Sequence, residues 1–202
     1  MCFYYQLSVQ AQDLENRYQR SLATENFEGE DFINGFRFPK LPVVKNDAIE
    51  LYQWGLIPHW AKDKNIRKYT LNARIESIDQ KASFKYSLHK PCLIPATAFY
   101  EWKHIGNNKK QAYIIRSKYQ PIFSIAGLYA EWVEPTSGEI VHTFTLITTR
   151  ANPLMATIHN TRQRMPVVLR KEDEIKWLEG SDTNNFVFPP YETELYAEVY
   201  NP

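Results

Sequence analysis

The sequence has little of several features that define common classes of protein. Its 202 residues include only two cysteines, Cys2 and Cys92, which do not make a disulfide framework, and a reducing compartment is therefore expected. It has no CxxC pair and no histidine-rich spacing of the kind that binds zinc, so we expect neither a metal nor a cofactor. The formal net charge is +1, which excludes a basic field over the whole surface. Any nucleic acid must therefore be held by a local patch.

Long hydrophobic runs are also missing. The first twenty residues lack the basic and apolar stretches of a signal peptide, and no segment is apolar for long enough to span a bilayer. We therefore expect a soluble, cytoplasmic protein without a membrane partner. The length suits a single domain over residues 1–202, because one core of this size is common in β-rich folds.

What the chain does have is aromatic and strand-forming residues. Aromatic residues make up 14% of it, with 13 Tyr and 11 Phe, which is typical of a β-rich core. Strand patterns cover residues 2–7 and 41–56, and hairpins are predicted around the turns at 106–108 and 135–138. We predict an α+β fold, mostly antiparallel, with twisted sheets or a barrel-like core and a few peripheral helices.

Three helices and one connection complete the predicted organisation. Ser8 is predicted to cap a first helix, in which Ala11, Leu14, Tyr18 and Leu22 recur at helical spacing. Residues 77–88 and 171–178 are predicted to form the other two helices. Residues 24–42 contain glycines and prolines without periodicity, so they are predicted to form a long connection.

Met1-Cys2 is the first candidate for chemistry. Aminopeptidases remove Met1 when the second residue is small, which would leave Cys2 with a free α-amine beside its thiol. Such an aminothiol condenses with an aldehyde to a thiazolidine, and the two groups have pKa values of about 8 and roughly 8.5. The alternative is that position two is arbitrary and Cys2 is an ordinary residue.

Glu101 is a candidate for proton transfer. It lies in the predicted strand segment Ala98–Trp102, among apolar and aromatic neighbours. A desolvated carboxylate has a raised pKa and can exchange protons near neutral pH. The alternation of a strand equally permits a glutamate that points to water.

A basic stretch precedes a second pair of candidates. Five basic residues lie between positions 61 and 74 against one acid, Asp63, and a solvated loop would explain them as well as a binding surface does. Within this stretch, Asn72 and Arg74 share one face of an extended segment, where an amide could orient a nucleophile and a guanidinium could hold a phosphate. The alternative is a turn asparagine and a surface ion pair between Arg74 and Glu76.

His159 is the candidate imidazole. Arg162 and Arg164 follow it closely, and their charge would disfavour the protonated ring, which leaves a neutral base or donor. A lone histidine is also often structural.

Five short segments, in one order along nearly the whole chain, together resemble the SOS response-associated peptidase (SRAP) family, whose eukaryotic members were named as hydroxymethylcytosine-binding proteins. The segments are Met1-Cys2, residues 54–60 (WGLIPHW), residues 72–77 (NARIES), residues 94–102 (IPATAFYEW), and His159 followed by Arg164-Met165-Pro166.

The resemblance implies a monomer that binds single-stranded DNA, or a single-strand/duplex junction, at an abasic site. It implies that Cys2 captures the sugar aldehyde as a thiazolidine DNA–protein crosslink through lyase-like imine chemistry, which shields the lesion. By position, the resemblance implies three further catalytic residues: Asn72 to orient Cys2, Glu101 to transfer protons, and His159 to assist sugar ring opening. The implied DNA-binding residues are Arg74, Arg164 and Arg162 on phosphates, and Trp60, Phe84 and Pro39 against bases.

The sequence departs from the family in two places. The family often has Cys-Gly-Arg at its start, whereas Phe3 and Tyr4 follow Cys2 here, so one phosphate contact is expected to be lost or to move to residues 62–68. Four residues separate His159 from Arg164, where the family commonly has one, and Arg162 therefore competes with Arg164 for the phosphate.

Two alternative functions follow from the same residues. One is a thiol peptidase that uses Cys2 and His159, acting on its own amino terminus or on other proteins. The other is a reader that binds DNA without covalent chemistry.

Overall fold

The computed structural model describes residues 2–24 and 27–201. In this part of the chain the strands are β1 (Tyr4–Leu7), β2 (Glu30–Asn34), β3 (Lys40–Val44), β4 (Ile49–Trp54), β5 (Asn72–Arg74), β6 (Pro91–Ala96), β7 (Ala98–His104), β8 (Lys110–Ser117), β9 (Phe123–Val133), β10 (Ile140–Arg150), β11 (Arg164–Pro166), β12 (Val168–Leu169) and β13 (Leu195–Tyr200). The α-helices are α1 (Ala11–Tyr18), α2 (Pro153–Ile158) and α3 (Glu174–Leu178). Short 3-10 turns lie at Gly35–Arg37, Lys64–Tyr69, Ile75–Ser77, Lys85–Ser87, Lys171–Asp173 and Thr183–Phe186.

Five strands close on one another to form a barrel. Strand β10 pairs with β4, β4 with β3, β3 with β6, β6 with β9, and β9 pairs again with β10. These pairs are antiparallel except for the one between β4 and β10, and β5 also runs parallel to β10. A closed ring leaves no free edge within the five strands, which protects them from unwanted pairing. The predicted mostly antiparallel, barrel-like α+β fold is confirmed.

A second, five-stranded sheet carries the start of the chain. Its order is β13-β8-β7-β1-β2, so β1 lies between β7 and β2. Tyr5 pairs with Phe99 on one side and with Ile33 on the other, and all three side chains are buried. Only Thr97 separates β6 of the barrel from β7 of this sheet. The predicted strand over residues 2–7 is confirmed for Tyr4–Leu7, and Cys2 lies two residues before this paired strand.

Both predicted hairpins are confirmed, since β7 pairs with β8 and β9 pairs with β10 in antiparallel register. The predicted helix over 171–178 is a 3-10 turn that continues into α3. No helix in the described ranges is both long and apolar enough to cross a membrane.

Other local predictions were wrong. Residues 77–88 form successive three-residue turns, in which Gln80 donates to Ser77 and Ser87 donates to Phe84, so Ala82 and Tyr86 are exposed rather than core-facing. The predicted connection over 24–42 contains β2 and the start of β3.

The predicted start of the first helix was also displaced. Gln10 caps α1, and the Ser8 hydroxyl instead hydrogen-bonds the Asp31 carboxylate. Leu22 lies beyond the helix and bridges to Ile49 of β4.

Candidate active site

A cavity of about 360 Å³ lies where β1 begins, beside the end of β7 and the loop that follows α2. Its lining residues are Phe3, Tyr4, Glu101, Trp102, His104, Lys110, His159, Thr161 and Arg162. Strand pairing brings the first two parts together, because β1 and β7 are neighbours in the sheet, and side-chain hydrogen bonds of Asn160 join the loop after α2 to the end of β7. Two of the predicted catalytic residues, Glu101 and His159, therefore line one cavity. Cys2 directly precedes Phe3, which also lines it.

Cys2 is fully buried beside this cavity. Its thiol lies 3.6 Å from the carbonyl oxygen of Tyr4 and donates a weak hydrogen bond to it. Burial raises the pKa of the Cys2 thiol far above its ordinary value, and the negative charge of Glu101 adds to this effect. The thiol is therefore protonated at neutral pH, so its use as a nucleophile needs a base.

Glu101 has the properties of such a base. Its side chain faces the interior and only 5% of the residue is exposed, so the alternative of a glutamate that points to water is wrong. Burial raises the pKa of Glu101 from 4.5 to about 7. A carboxyl group with this pKa is populated in both forms at neutral pH, so it can both accept and return a proton.

His159 follows α2 and is held by its own loop. Its Nδ1 atom lies 2.9 Å from the carbonyl oxygen of Arg164, which accepts a hydrogen bond from the ring when Nδ1 carries the hydrogen. The same Nδ1 atom lies 3.9 Å from Oε1 of Glu101. Burial lowers the pKa of His159, and the charges of Arg162 and Arg164, which the sequence suggested as the cause, contribute less. At neutral pH the ring is therefore uncharged beside a carboxyl group of raised pKa.

Asn160 ties the His159 loop to the β7–β8 hairpin. Its side-chain oxygen accepts a hydrogen bond from the backbone N–H of His104 at 3.1 Å, and its side-chain nitrogen donates to the His104 carbonyl at 2.9 Å. The hairpin carries Glu101, so these two bonds fix the distance between the carboxyl group and the imidazole. Sequence reasoning missed this role, because Asn160 appeared only as part of an extended loop.

Asn72 and Arg74 lie in β5 and are not among the residues that line the cavity. Both polar side-chain atoms of Asn72 are buried and have no hydrogen-bond partner in the described part of the chain. A buried amide without a partner costs about 1–3 kcal/mol, so it marks either a bound group or a functional constraint. Arg74 is exposed, and the predicted alternative of a pair with Glu76 is wrong, because Glu76 binds Arg164 instead.

Arg164 is buried and engaged. Its guanidinium donates to both carboxylate oxygens of Glu76, at 2.8 and 2.9 Å, and to the carbonyl oxygen of Thr148 at 2.7 Å. Burial alone would raise the pKa of Glu76, but these hydrogen bonds lower it overall. A phosphate would have to displace this pair, whereas Arg162 is exposed and lines the cavity. Of the two arginines predicted to bind phosphate, Arg162 is exposed to solvent and Arg164 is buried.

The three predicted base-contacting residues lie elsewhere. Trp60 is 45% exposed, and its indole N–H donates to the carbonyl oxygen of Ala82 at 3.2 Å. Phe84 is 7% exposed and packs in the main core, so the structure presents little of its ring to a base. Pro39 is half-buried. None of the three lines the cavity.

No group of histidine, cysteine, aspartate or glutamate side chains with the arrangement of a metal site occurs among residues 2–24 and 27–201.

Comparison with known proteins identifies the family of the chain. The family model for SOS response associated peptidase (SRAP) matches residues 1–198, and the chain belongs to this family. Over 140 residues it is 43% identical to abasic site processing protein YoqW of Bacillus subtilis, covering 69% of this chain and 61% of that relative. It is 32% identical over 149 residues to abasic site processing protein HMCES of Xenopus tropicalis, covering 63% of this chain and 44% of that relative.

The fold also has a close structural counterpart. The crystal structure of a protein from Bacteroides thetaiotaomicron superposes with a TM-score of 0.92 at 35% sequence identity, covering 99% of this chain and 92% of that one. The chain matches less than two thirds of the length of each named relative, whereas it matches nearly all of this solved structure.

Proposed function

We propose that the protein captures abasic sites in single-stranded DNA, or at single-strand/duplex junctions, as a covalent thiazolidine crosslink to Cys2. The observation that carries this proposal is the position of Cys2 beside a cavity that contains Glu101 and His159. The relatives named as abasic site processing proteins support the choice of substrate. The protein would act as a monomer after removal of Met1, which frees the α-amine of Cys2.

The reaction balances without an oxidant or reductant. The α-amine of Cys2 adds to the aldehyde carbon of the ring-opened sugar, and loss of one water gives an imine. The sulfur of Cys2 then bonds to the imine carbon, while the thiol proton passes to the nitrogen and closes the five-membered ring. One aldehyde and one aminothiol thus give one thiazolidine and one water.

The neighbouring side chains have distinct tasks in this scheme. Glu101, as a carboxylate, takes a proton from the amine or thiol, and in its neutral form it supplies a proton to the departing water. His159, as a neutral imidazole, assists ring opening of the sugar. Asn72 is retained as the group that orients Cys2, because its buried amide has no other partner among the described residues.

The peptidase alternative has less support from the site. Thiol peptidases depend on a cysteine whose pKa is lowered so that the thiolate is present. Burial raises the pKa of Cys2 instead. In thiazolidine formation the amine attacks first, so the thiol can remain protonated until the imine lies beside it.

A gel assay tests the proposal. Mature protein mixed with single-stranded DNA that carries one abasic site should give an adduct that survives denaturation. The matched DNA with a tetrahydrofuran analogue, which has no aldehyde, should give none. Equal adduct with both DNAs would contradict aldehyde capture, and so would no adduct with either.

DNA binding is expected to depend on Arg162 and on salt. Arg162→Ala should weaken binding to the tetrahydrofuran DNA and reduce the slope of log K against log salt by about 0.7, as expected for one lost phosphate contact on a single strand. Filter binding or fluorescence anisotropy at several salt concentrations measures the slope. Lys171→Ala is the charge-matched control, because Lys171 is exposed and does not line the cavity.

An unchanged salt slope in Arg162→Ala would remove this arginine from phosphate binding. Arg164→Ala is a poorer test, because it would leave Glu76 without its partner and is expected to destabilise the fold.

Asn160→Ala is expected to slow crosslinking by about 5- to 150-fold, because two hydrogen bonds that fix the His159 loop, each contributing about 0.5–1.5 kcal/mol, are lost. Affinity for the tetrahydrofuran DNA should remain within about twofold. Single-turnover rates and binding constants separate the two effects.

The matched control for that variant is Asn184→Ala, which removes an asparagine hydrogen bond within a different loop. If Asn160→Ala lowered the affinity and left the rate constant unchanged, the positioning role would be wrong.

A further inference from the structure

Aromatic side chains cover the outer surface of the five-stranded sheet beside the cavity. This aromatic face consists of Tyr4, Phe32, Phe36, Tyr100 and Trp102. The ring of Tyr4 stacks on Phe32 with 5.2 Å between centroids and 27° between planes, and it meets Trp102 edge-on at 5.0 Å. Phe32 also contacts Tyr100 at 5.0 Å, and Phe36 lies 6.4 Å from Tyr4.

Strand alternation explains why these rings share one side. Tyr5 and Leu7 of β1 are buried in the core, so Tyr4 between the chain start and Tyr5 points to the opposite side. In β2, Ile33 pairs with Tyr5 and faces inward, so its neighbour Phe32 faces outward. The same parity places Tyr100 on the outer side of the sheet, where it is buried and contacts the rings of Phe32 and Tyr200.

A tight turn adds Phe36 to this face. Its backbone N–H donates to the Asn34 side chain at 2.9 Å, which starts the 3-10 turn at the end of β2. A Cβ atom at Gly35 would lie 2.9 Å from the Trp54 ring, so only glycine allows the turn to pack this closely. The turn brings Phe36 to 4.7 Å from Phe3, which lines the cavity.

Two rings of the aromatic face are open to solvent. Phe32 is 42% exposed and Phe36 is 47% exposed, and both rings contact the ring of Tyr4. Grouped exposed aromatics of this kind mark a binding surface more often than they occur by chance. The face is continuous with the candidate active site, because Tyr4 and Trp102 belong to both.

Positively charged side chains lie beside the aromatic rings at the cavity. Lys110 and Arg162 are exposed and line it together with Tyr4 and Trp102. A single strand that crosses the cavity therefore meets cations and flat apolar rings side by side. Phosphates and bases need these two kinds of contact respectively, and aromatic rings on an exposed sheet surface are a common platform for unpaired bases.

We propose that the aromatic face binds the nucleobase next to the abasic site, by stacking on Phe32 and Phe36 while the base-free sugar enters the cavity. The proposal rests on the proposed function and specifies how its DNA is held. Tyr4 stands where the family often has an arginine, and its ring supports Phe32 and Phe36 in a base-stacking surface in place of a phosphate contact.

The test uses single-stranded DNA with 2-aminopurine on one side or the other of a tetrahydrofuran site. Stacking on an aromatic ring quenches 2-aminopurine fluorescence, and we expect wild type to quench the probe on one side of the lesion. The double variant Phe32→Ala/Phe36→Ala should lose this quenching and bind the DNA about 5- to 100-fold more weakly, the range for loss of one stacked base. Tyr119→Ala is the control, because Tyr119 is 68% exposed and does not belong to the aromatic face.

Two further variants separate stacking from apolar contact and from misfolding. Phe32→Trp should retain quenching, whereas Phe32→Leu/Phe36→Leu keeps an apolar surface and should lose it. Thermal melting checks that each variant is folded. Quenching and affinity equal to wild type in both double variants would overturn the proposal. It would also be overturned if wild type were a dimer, and if Phe32→Ala/Phe36→Ala were a monomer that still quenched the probe.

Two measurements separate the stacking site from covalent capture by Cys2. At saturating abasic DNA, Phe32→Ala/Phe36→Ala should still form the crosslink, because Cys2 and Glu101 are untouched. If wild type forms no crosslink but its quenching depends on Phe32 and Phe36, the covalent function is wrong and the stacking site stands.

Discussion

Mature protein in which Cys2 is replaced by alanine is expected to form no adduct that survives denaturation, whereas wild type should convert most of the abasic DNA. The alanine variant keeps an α-amine at position two, because alanine is also small enough for removal of Met1. The variant can therefore still form the imine, but it cannot close the thiazolidine ring. Borohydride should trap this imine in the variant, which separates the role of the amine from that of the thiol.

Cys92→Ala is the matched control for this experiment. Cys92 is also fully buried and its pKa is also raised by burial, but it lies in β6 of the barrel and does not line the cavity. The control should crosslink like wild type. A stable adduct in Cys2→Ala without borohydride would show that another nucleophile forms the link.

Glu101→Gln is expected to slow crosslinking by about 100-fold or more, the usual contribution of a positioned acid–base group. Glutamine keeps the size and hydrogen-bonding capacity of the side chain but cannot exchange a proton. In wild type the rate should rise with pH through an inflection near pH 7, where Glu101 becomes a carboxylate. Single-turnover rates between about pH 5 and 9 should lose this inflection in the variant.

Although Glu101→Gln is expected to slow crosslinking, it is expected to raise the free energy of unfolding above pH 7. Because the pKa of Glu101 is raised from 4.5 to about 7 on folding, the folded state binds its proton more tightly than the unfolded state. This favours folding below about pH 4.5 and is lost as the pH rises through 7. Above pH 7, Glu101→Gln should therefore be more stable than wild type by up to about 3 kcal/mol.

Denaturant unfolding at pH 5 and pH 8 measures this difference. A variant that is slower in crosslinking yet more stable at pH 8 would show that its defect is not a folding defect. If Glu101→Gln lost stability at both pH values, the raised pKa would be wrong. If its crosslinking rate equalled that of wild type, Glu101 would have no part in the proton transfer.

The sequence was most informative where local patterns and tertiary structure agree. The hairpins around residues 106–108 and 135–138 have strong strands on both sides of short turns, and both formed as predicted. Glu101 was found as a desolvated carboxylate because its aromatic neighbours are adjacent in the chain. Its burial is then settled by β1 and the His159 loop, which lie far away in sequence.

Features that depend on distant partners were missed. Residues 77–88 have helical spacing, but Phe84 is drawn into the core and the segment folds as turns around it. Strand β13 was not predicted either, because it forms only by pairing with the edge of β8. Similarly, Arg164 was predicted to hold a phosphate, and no local pattern indicated that Glu76, 88 residues earlier, would bind its guanidinium.

The aromatic face illustrates the same limit. Tyr4, Phe32 and Trp102 are separated by long stretches of chain, and each could have been a core residue on its own. Alternation within each strand indicates that one side is aromatic, but the pairing of β2 with β1 and of β1 with β7 is needed to place the rings together.

The most direct test of the central claim is the intact mass of the crosslinked protein. Our prediction is a protein without Met1, joined to one DNA strand, with a total mass equal to the sum of the two partners less one water, and with the DNA remnant on Cys2 after proteolysis. An adduct that retains Met1, or one attached at a lysine or any residue other than Cys2, would contradict it.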